Sequence, residues 1–291
     1  MLTPILTTKL FRPQVPPVLV VRPRLLHLLA ESARRPVTLL SAPAGFGKSI
    51  LLAQWLQEVQ APTAWLTLDE SDNDPARFWR YVVAAYRTVN ETLGRDLLVL
   101  IQSVEAQAGV LPAETMLATL LNELAASPEP LLLVLDDYHL IDNRAIHQAL
   151  SFFIEHLPPH HHLILSTRVD PPLPFARWRA RGQLVELRAA DLRFTLTETA
   201  EFLQNLLGIT LPAEVIEALD RRTEGWVAGL QLAALSMQGR SDLAGFVASF
   251  AGSNRYIMDF LAEEVLQRQP PATQSDRKST RLNSSHVALS R

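Results

Sequence analysis

The string Ser41-Ala-Pro-Ala-Gly-Phe-Gly-Lys-Ser49 constrains this chain more than any other segment. An apolar stretch, Val37-Thr-Leu-Leu40, precedes it, and a helical pattern, Ile50-Leu-Leu-Ala-Gln-Trp-Leu56, follows. Strand, glycine-bearing turn and helix in that order frame a phosphate-binding loop made of Ala42, Pro43, Ala44, Gly45, Phe46, Gly47, Lys48 and Ser49. In such a loop the backbone N–H groups and the positive end of the helix dipole face an anion. Lys48 is expected to reach the β- and γ-phosphates, and the Ser49 hydroxyl to ligate Mg²⁺. Ala42 stands where the strict pattern has Gly, and a single methyl group asks only for a modest backbone adjustment. An ordinary glycine-rich turn is the competing explanation, which the strand and helix on either side disfavour. The string predicts a nucleoside triphosphate site.

A second element fits the same plan. Leu131-Leu-Leu-Val-Leu135 is apolar without alternation, as expected of a strand covered on both faces, and it runs into Asp136-Asp137. An acid at the end of such a strand holds Mg²⁺ in P-loop enzymes, which assigns Asp136 to the metal. Asp137 is assigned to the attacking water, as general base. Paired acids on a loop are otherwise merely solvated; the buried strand before them is what argues for chemistry. His162-Leu-Ile-Leu-Ser-Thr-Arg168 reads as a further buried strand with an arginine at its C-terminal edge. Ligands of parallel α/β sheets gather outside the carboxyl ends of the strands, so Arg168 is a candidate contact to a γ-phosphate. A surface arginine before the turn Asp170-Pro-Pro172 is the alternative.

These strands alternate with helical patterns, which indicates an α/β fold built on a parallel sheet. Thr63–Leu68 reads as another strand, and Leu184–Leu187 as a short one closing the sheet. Helices are expected after Asp74-Pro75, over Leu111–Ala126 and near Ile146–His156. Past Ala189 strand patterns cease. Helices are expected there at Thr197–Leu207, Pro212–Arg222, Trp226–Met237 and Arg255–Arg268, which predicts a second, helical domain. From about Asp276 neither period is present, and Asp-Arg-Lys-Ser-Thr-Arg-Leu-Asn-Ser-Ser-His286 is similar to the translation of a sequencing-library adapter. Residues 275–291 therefore read as a disordered tail and an assembly artefact, with a genuine basic tail as the alternative.

Composition narrows the function classes. With 291 residues, 48% of them hydrophobic and 20% charged, the chain has material for a large core and two domains. Cysteine is absent, which excludes a disulfide framework and thiolate metal sites. The first residues lack the pattern of a secretory signal, and no window approaches the ~20 apolar residues of a membrane span. The expectation is a cytoplasmic protein with no membrane partner. The formal net charge is −3, and the tail from Ser275 carries four basic residues against one acid, so residues 1–274 are more acidic still. An acidic body is a poor candidate for direct DNA binding.

Taken together, these residues resemble the nucleotide-binding part of STAND-class ATPases of the maltose-regulon activator type, the large LuxR-type regulators. The resemblance runs through Thr8-Lys-Leu-Phe-Arg-Pro13, Val21-Arg-Pro-Arg-Leu25, the loop, Ala64-Trp-Leu-Thr-Leu-Asp-Glu-Ser-Asp-Asn-Asp74 and Leu135-Asp-Asp-Tyr-His139. It continues through Ser166-Thr-Arg168, Asp170-Pro-Pro172, Arg179-Ala-Arg-Gly-Gln183, Asp191-Leu-Arg-Phe194, Arg222-Thr-Glu-Gly-Trp226, Ala228-Gly-Leu-Gln-Leu232 and Phe260-Leu-Ala-Glu-Glu-Val265. It implies a P-loop NTPase domain over residues 1–188, a helical domain over 189–245 and a truncated winged-helix start over 246–274. It also implies a switch driven by ATP, ADP and Mg²⁺: closed and monomeric with ADP, open and self-associating with ATP and inducer, reset by slow hydrolysis. The family's helical-repeat sensor and helix-turn-helix domain would follow this segment, so direct DNA binding is not expected of it. Adenine over guanine is inferred from the resemblance alone. So is a place for Arg22 and Arg24 beside adenine or ribose, where a basic pair capping the next helix is the alternative. Gly225 and Trp226 would face the nucleotide, although Val227 stands where many relatives have proline.

Three features are set aside. His160, His161 and His162, with His156 nearby, are adjacent in an extended segment and cannot all face one ion. Asp69, Glu70, Asp72 and Asp74 are read as capping and solvated rather than metal-binding. Arg177, Arg179 and Arg181 are read as a charged helix face rather than fingers reaching a neighbour's phosphate. Two other functions compete with the switch: an autonomous AAA-like DNA-processing ATPase, and an inert product whose truncated last domain prevents complete folding.

Overall fold

In the computed structural model, residues 4–107, 113–127, 129–238, 245 and 247 are described. The chain divides into two compact units, Met1–Leu192 and Arg193–Arg291. The first holds helix α1 (Pro23–Ser32), strand β1 (Val37–Ser41), α2 (Lys48–Glu58), β2 (Thr63–Thr67), α3 (Pro75–Arg87), α4 (Arg95–Gln107), α5 (Ala113–Ala126) and β3 (Leu131–Asp136). It continues with α6 (Arg144–Glu155), β4 (His161–Thr167), α7 (Phe175–Ala180), β5 (Leu184–Arg188) and the short α8 (Ala189–Leu192). All five strands are parallel, in the order β2-β3-β4-β1-β5.

The unbroken apolar runs are explained by the two faces of this sheet. Leu39, Leu66, Leu133, Leu135, Leu163 and Leu165 turn to one side, into a core shared with buried residues of α3 to α7. Their neighbours Leu40, Trp65, Leu132, Val134, Ile164 and Leu187 turn to the other, against Leu25 and Leu29 of α1 and Leu52 and Trp55 of α2. Every side chain of β1, β3 and β4 is buried, so alternation has no polar face on which to appear.

Helix α4 was not expected from the sequence, since Leu97-Leu-Val-Leu-Ile101 has no helical spacing of its own. Its buried residues Leu97 and Ile101 stand one turn apart and join the core that α3 and α5 share. Other boundaries shift by a residue or two: β1 extends to Ser41, and β3 takes in Asp136. The second unit contains α9 (Leu196–Leu207), α10 (Ala213–Thr223) and α11 (Val227–Met237). Thr195 and Glu198 form a reciprocal cap at the start of α9: the Thr195 Oγ1 accepts from the Glu198 N–H at 3.2 Å, and the Thr195 N–H donates to Glu198 Oε2 at 2.8 Å. The expected helix near 255–268, nearly all of the 246–274 domain and the 275–291 tail lie outside the described residues.

Candidate nucleotide site

The sheet order sets the site. β1 leads into the loop, β4 lies beside it and β3 beside β4. Being parallel, the three strands deliver Ser41, Thr167 and Asp136 to one rim. Crossing from the second to the third residue of that series costs one strand spacing, so the acid and the loop lie on either side of the arginine-bearing strand.

The loop conformation requires glycine at two places. Gly45 has φ +78° and Gly47 φ +74°, a region that residues with a Cβ enter at a cost. Ala42 is not such a place. Its N–H continues the ladder to the Thr167 carbonyl at 3.2 Å and its φ is not positive, which explains why a methyl group is accepted there. Gly47 forms the cap of α2 with no side-chain hydrogen bond to it, and a Cβ added at Gly47 would meet nothing within 4 Å. The cap of α2 therefore has no side chain of its own to satisfy the first-turn N–H groups, which suits the start of this helix to an anion. Ser49, the second residue of α2, is half-buried on that first turn.

Lys48 is 8% exposed, and its Nζ donates to the carbonyls of Ala42 at 2.7 Å and Pro43 at 3.1 Å. Burial pulls its pKa down to about 8; the negative charge of Asp137 opposes that, Arg168 adds to it and Asp136 opposes it more weakly. Lys48, the first residue of α2, therefore lies within electrostatic reach of all three residues, which stand at the ends of β3 and β4.

Asp136 is buried, and its Oδ1 accepts from the Asp137 N–H at 3.0 Å. Asp137 has φ +57° and ψ +35°, a left-handed conformation uncommon for any residue but glycine. The turn that follows is locked by Tyr138, fully buried, whose hydroxyl pairs with His147 Nδ1 at 2.9 Å. The result re-aims the chain at the strand end, so that Asp137 is a third exposed while Asp136 stays inside. The Nδ1 of His139 stands 3.7 Å from Asp137 Oδ1. Sequence reasoning gave His139 no role; its spacing of two from Asp137 was the available signal. Arg168 is half-buried and is the first residue past β4.

Arg22 and Arg24 are bonded to backbone carbonyls of the same unit. The buried Arg22 donates from Nη1 to the Leu192 carbonyl at 2.9 Å, and Arg24 from Nη2 to the Asp191 carbonyl at 2.7 Å. Both guanidinium groups hold the C-terminal carbonyls of α8, where the helix dipole favours cations. In the second unit Gly225 has φ +69°, and a Cβ there would come within 2.5 Å of the Phe194 carbonyl oxygen. The Trp226 ring covers Gly229, where a Cβ would approach it to 2.6 Å.

The features set aside have local partners. His160 bonds to the Ser127 carbonyl at 2.6 Å, His161 to that of Leu124 at 3.1 Å, and His162 to that of Arg35. Asp69 and Asp72 grip Lys9, Asp72 also takes Arg77 at 3.1 Å, and Asp74 caps α3 through the Arg77 N–H at 2.7 Å. Arg177 pairs with Glu155 at 2.9 Å, and Arg179 grips Glu186 through two bonds of 2.7 and 2.9 Å. Arg181 is exposed. Among the described residues, no helix is long and apolar enough to cross a membrane.

Comparison with known proteins agrees with this fold. Residues 22–166 match the AAA ATPase domain family. The protein named Serine/threonine-protein kinase PknK, from Mycobacterium tuberculosis (strain CDC 1551 / Oshkosh), is 35% identical over 265 residues, which is 90% of this chain and 24% of that protein. HTH-type transcriptional regulator MalT from Yersinia enterocolitica is 40% identical over 266 residues, 91% of this chain and 29% of that protein. The chain thus spans about a quarter of the length of these relatives. A Signal Transduction ATPase with Numerous Domains (STAND) carrying a tetratricopeptide repeat sensor, from Pyrococcus horikoshii, superposes with TM-score 0.59 at 16% identity, over 84% of this chain and 34% of the other. A Walker-type ATPase of Pyrococcus abyssi does so with TM-score 0.56 at 17% identity, over 93% and 79%. The shared fold and the identity across the chain lead to one conclusion: it belongs to the AAA-type P-loop ATPases, with residues 22–166 as the AAA ATPase domain, and nine tenths of it is similar to part of the MalT regulators.

Proposed function

We propose that the chain is the ATP-binding and slowly hydrolysing switch module of a signal-responsive bacterial transcriptional regulator. The observation that carries this reading is that the charges of Asp137, Arg168 and Asp136 all act on Lys48, the first residue of α2. The loop from Ala42 to Ser49 would cradle the phosphates through its N–H groups, with Lys48 leaving the Ala42 and Pro43 carbonyls for the β- and γ-phosphates. Ser49 and Asp136 offer a hydroxyl and a buried carboxylate, hard oxygen donors suited to Mg²⁺, which when bound would neutralise phosphate charge. Asp137, lifted to the rim by its left-handed backbone, would orient and deprotonate the attacking water, with the His139 ring beside its carboxylate. Arg168 would touch the γ-phosphate and so distinguish ATP from ADP.

The relatives support a switch rather than a metabolic enzyme. One is named a transcriptional regulator and another a protein kinase, so the segment they share with this chain is common to proteins of different output. The adenine preference, the cytoplasmic location, self-association in the ATP state and the lack of direct DNA binding belong to the same proposal. Measured turnover well below the ~10 s⁻¹ median of enzymes, with ADP retained through gel filtration, is the expected result. Rapid hydrolysis stimulated by DNA would replace the switch with a DNA-processing ATPase.

A further inference from the structure

The loop that follows β4 is fastened on two sides by one carboxylate. The Ser41 hydroxyl, on the last residue of β1, donates to Asp170 Oδ1 at 2.7 Å. Arg188, on the last residue of β5, donates from Nη1 to the same oxygen. β4 and β5 are the two neighbours of β1, so Asp170 joins all three strand ends at the level where the phosphate loop departs. Two residues before it stands Arg168. Within that short interval the Thr167 hydroxyl closes a turn onto the Val169 carbonyl at 2.6 Å. The Arg168 backbone is therefore held between a strand end on one side and Asp170 on the other.

Arg188 is itself held in place. Its Nη2 pairs with Glu186, which receives two bonds from Arg179, and its backbone N–H donates to Asp191 Oδ2 at 2.8 Å. Arg188 lowers the pKa of Asp170, with the Ser41 bond adding to the effect and partial burial opposing it, so Asp170 is a carboxylate at neutral pH. An exposed ion pair of this kind contributes little to global stability. Its position suggests another use. Ser41 is buried at the end of β1, so its hydroxyl gives the loop after β4 a fixed anchor through Asp170.

We propose that Asp170 is a positioning residue that acts through Arg168, tying the arginine's loop to the phosphate-loop strand by way of Ser41 and Arg188. This rests on the reading of Arg168 as the γ-phosphate contact. The clamp sets the distance between that guanidinium and the phosphates that α2 holds. Without it the arginine remains present but poorly placed, and misplacement of this order costs up to about a hundredfold in rate. ADP, which lacks the γ-phosphate, is indifferent to the clamp.

The test uses the full chain, with Asp170→Ala, Asp170→Asn, Arg188→Gln and Arg168→Ala, and the double variant Asp170→Ala/Arg168→Ala. Equilibrium binding of ADP and of a non-hydrolysable ATP analogue is measured alongside single-turnover hydrolysis and a thermal transition. Asp170→Ala and Arg188→Gln are expected to slow hydrolysis by about tenfold or more and to weaken the ATP analogue, with ADP affinity and the thermal midpoint unchanged. Asp170→Asn, which keeps an acceptor for Ser41, should fall between them and the unsubstituted chain. In the Arg168→Ala background, removing Asp170 should have no further effect, because the two act as one unit. Additive losses in the double variant, or equal weakening of ADP and the ATP analogue, would overturn the clamp. An Arg168→Ala variant that hydrolyses ATP normally would instead remove the reading of Arg168 on which the clamp rests.

Discussion

The Nζ of Lys48 donates a 2.7 Å hydrogen bond to the carbonyl of Ala42, the residue at which the chain leaves β1. The loop thereby occupies its own lysine until a better acceptor arrives. Burial holds the pKa of that lysine at about 8, so it is mostly charged at neutral pH and loses its charge as pH rises through 8. A bound phosphate chain stabilises the charged form and raises the pKa. Binding should then take up a proton above pH 8, and affinity should fall there by up to about tenfold per pH unit. Fluorescent-ADP titrations between pH 7 and 9.5 measure this directly. Lys48→Ala should abolish detectable binding; binding that survives with the same pH step would assign the titration to another group.

Asp137→Asn separates binding from hydrolysis. Asparagine tolerates the left-handed region well, so the φ of +57° is kept and only the basic oxygen is lost. Single-turnover hydrolysis is expected to slow by about 10²–10⁴, the usual contribution of a general base, with ADP affinity retained. An unchanged rate would take the base assignment away from Asp137.

Much of this was legible because local chemistry and global fold agree. Asp136 and Arg168 each stand at the end of a run whose apolar character required burial on both faces, and Lys48 opens the helix that follows a third such run, so the parallel sheet directs all three to one rim. Less legible was anything decided by long-range pairing. Nothing near Arg22 or Arg24 announces the Leu192 and Asp191 carbonyls, some 170 residues away, to which both are bonded. The reading of Ala42 as a modest backbone adjustment also missed its place in the ladder to Thr167. Helix α4 escaped notice since its core-facing residues, Leu97 and Ile101, sit within a continuous apolar run that carries no period.

His162 makes the fold sensitive to acid at the sheet's far end. Its ring bonds to the Arg35 carbonyl and lies 3.0 Å from Thr38 Oγ1, and burial lowers its pKa from 6.5 to about 4. Between those values the unfolded chain binds a proton that the folded one refuses. Stability is therefore full above pH 6.5 and declines as pH falls toward 4, by up to about 1.4 kcal/mol per unit from this residue. His147 and His161, also held below their ordinary value by burial, act in the same direction. Urea denaturation at pH 7 and pH 5 should show a smaller difference for His162→Gln than for the unsubstituted chain. Equal differences would place the acid sensitivity in the other two rings.

Lys9 secures the N-terminal segment through a charge that cannot be removed alone. Its ammonium meets Asp72, which is fully buried, and Asp69 at 3.0 Å, and lies 4.5 Å from the Tyr81 ring centre. Arg77 Nε completes the Asp72 carboxylate at 3.1 Å, and the Asp69 N–H adds a bond of 2.9 Å. Lys9→Met preserves the apolar stem against Tyr81 but leaves Asp72 short of a cation inside the protein. The expected loss is about 1–3 kcal/mol, because Asp72 stays buried with Arg77 and the Asp69 N–H as its remaining partners. The double variant Lys9→Met/Asp72→Leu should therefore be less destabilised than the two single losses added together, as urea denaturation would show. Simple additivity would mean that the two charges are independently solvated and that the segment is held by its apolar contacts instead.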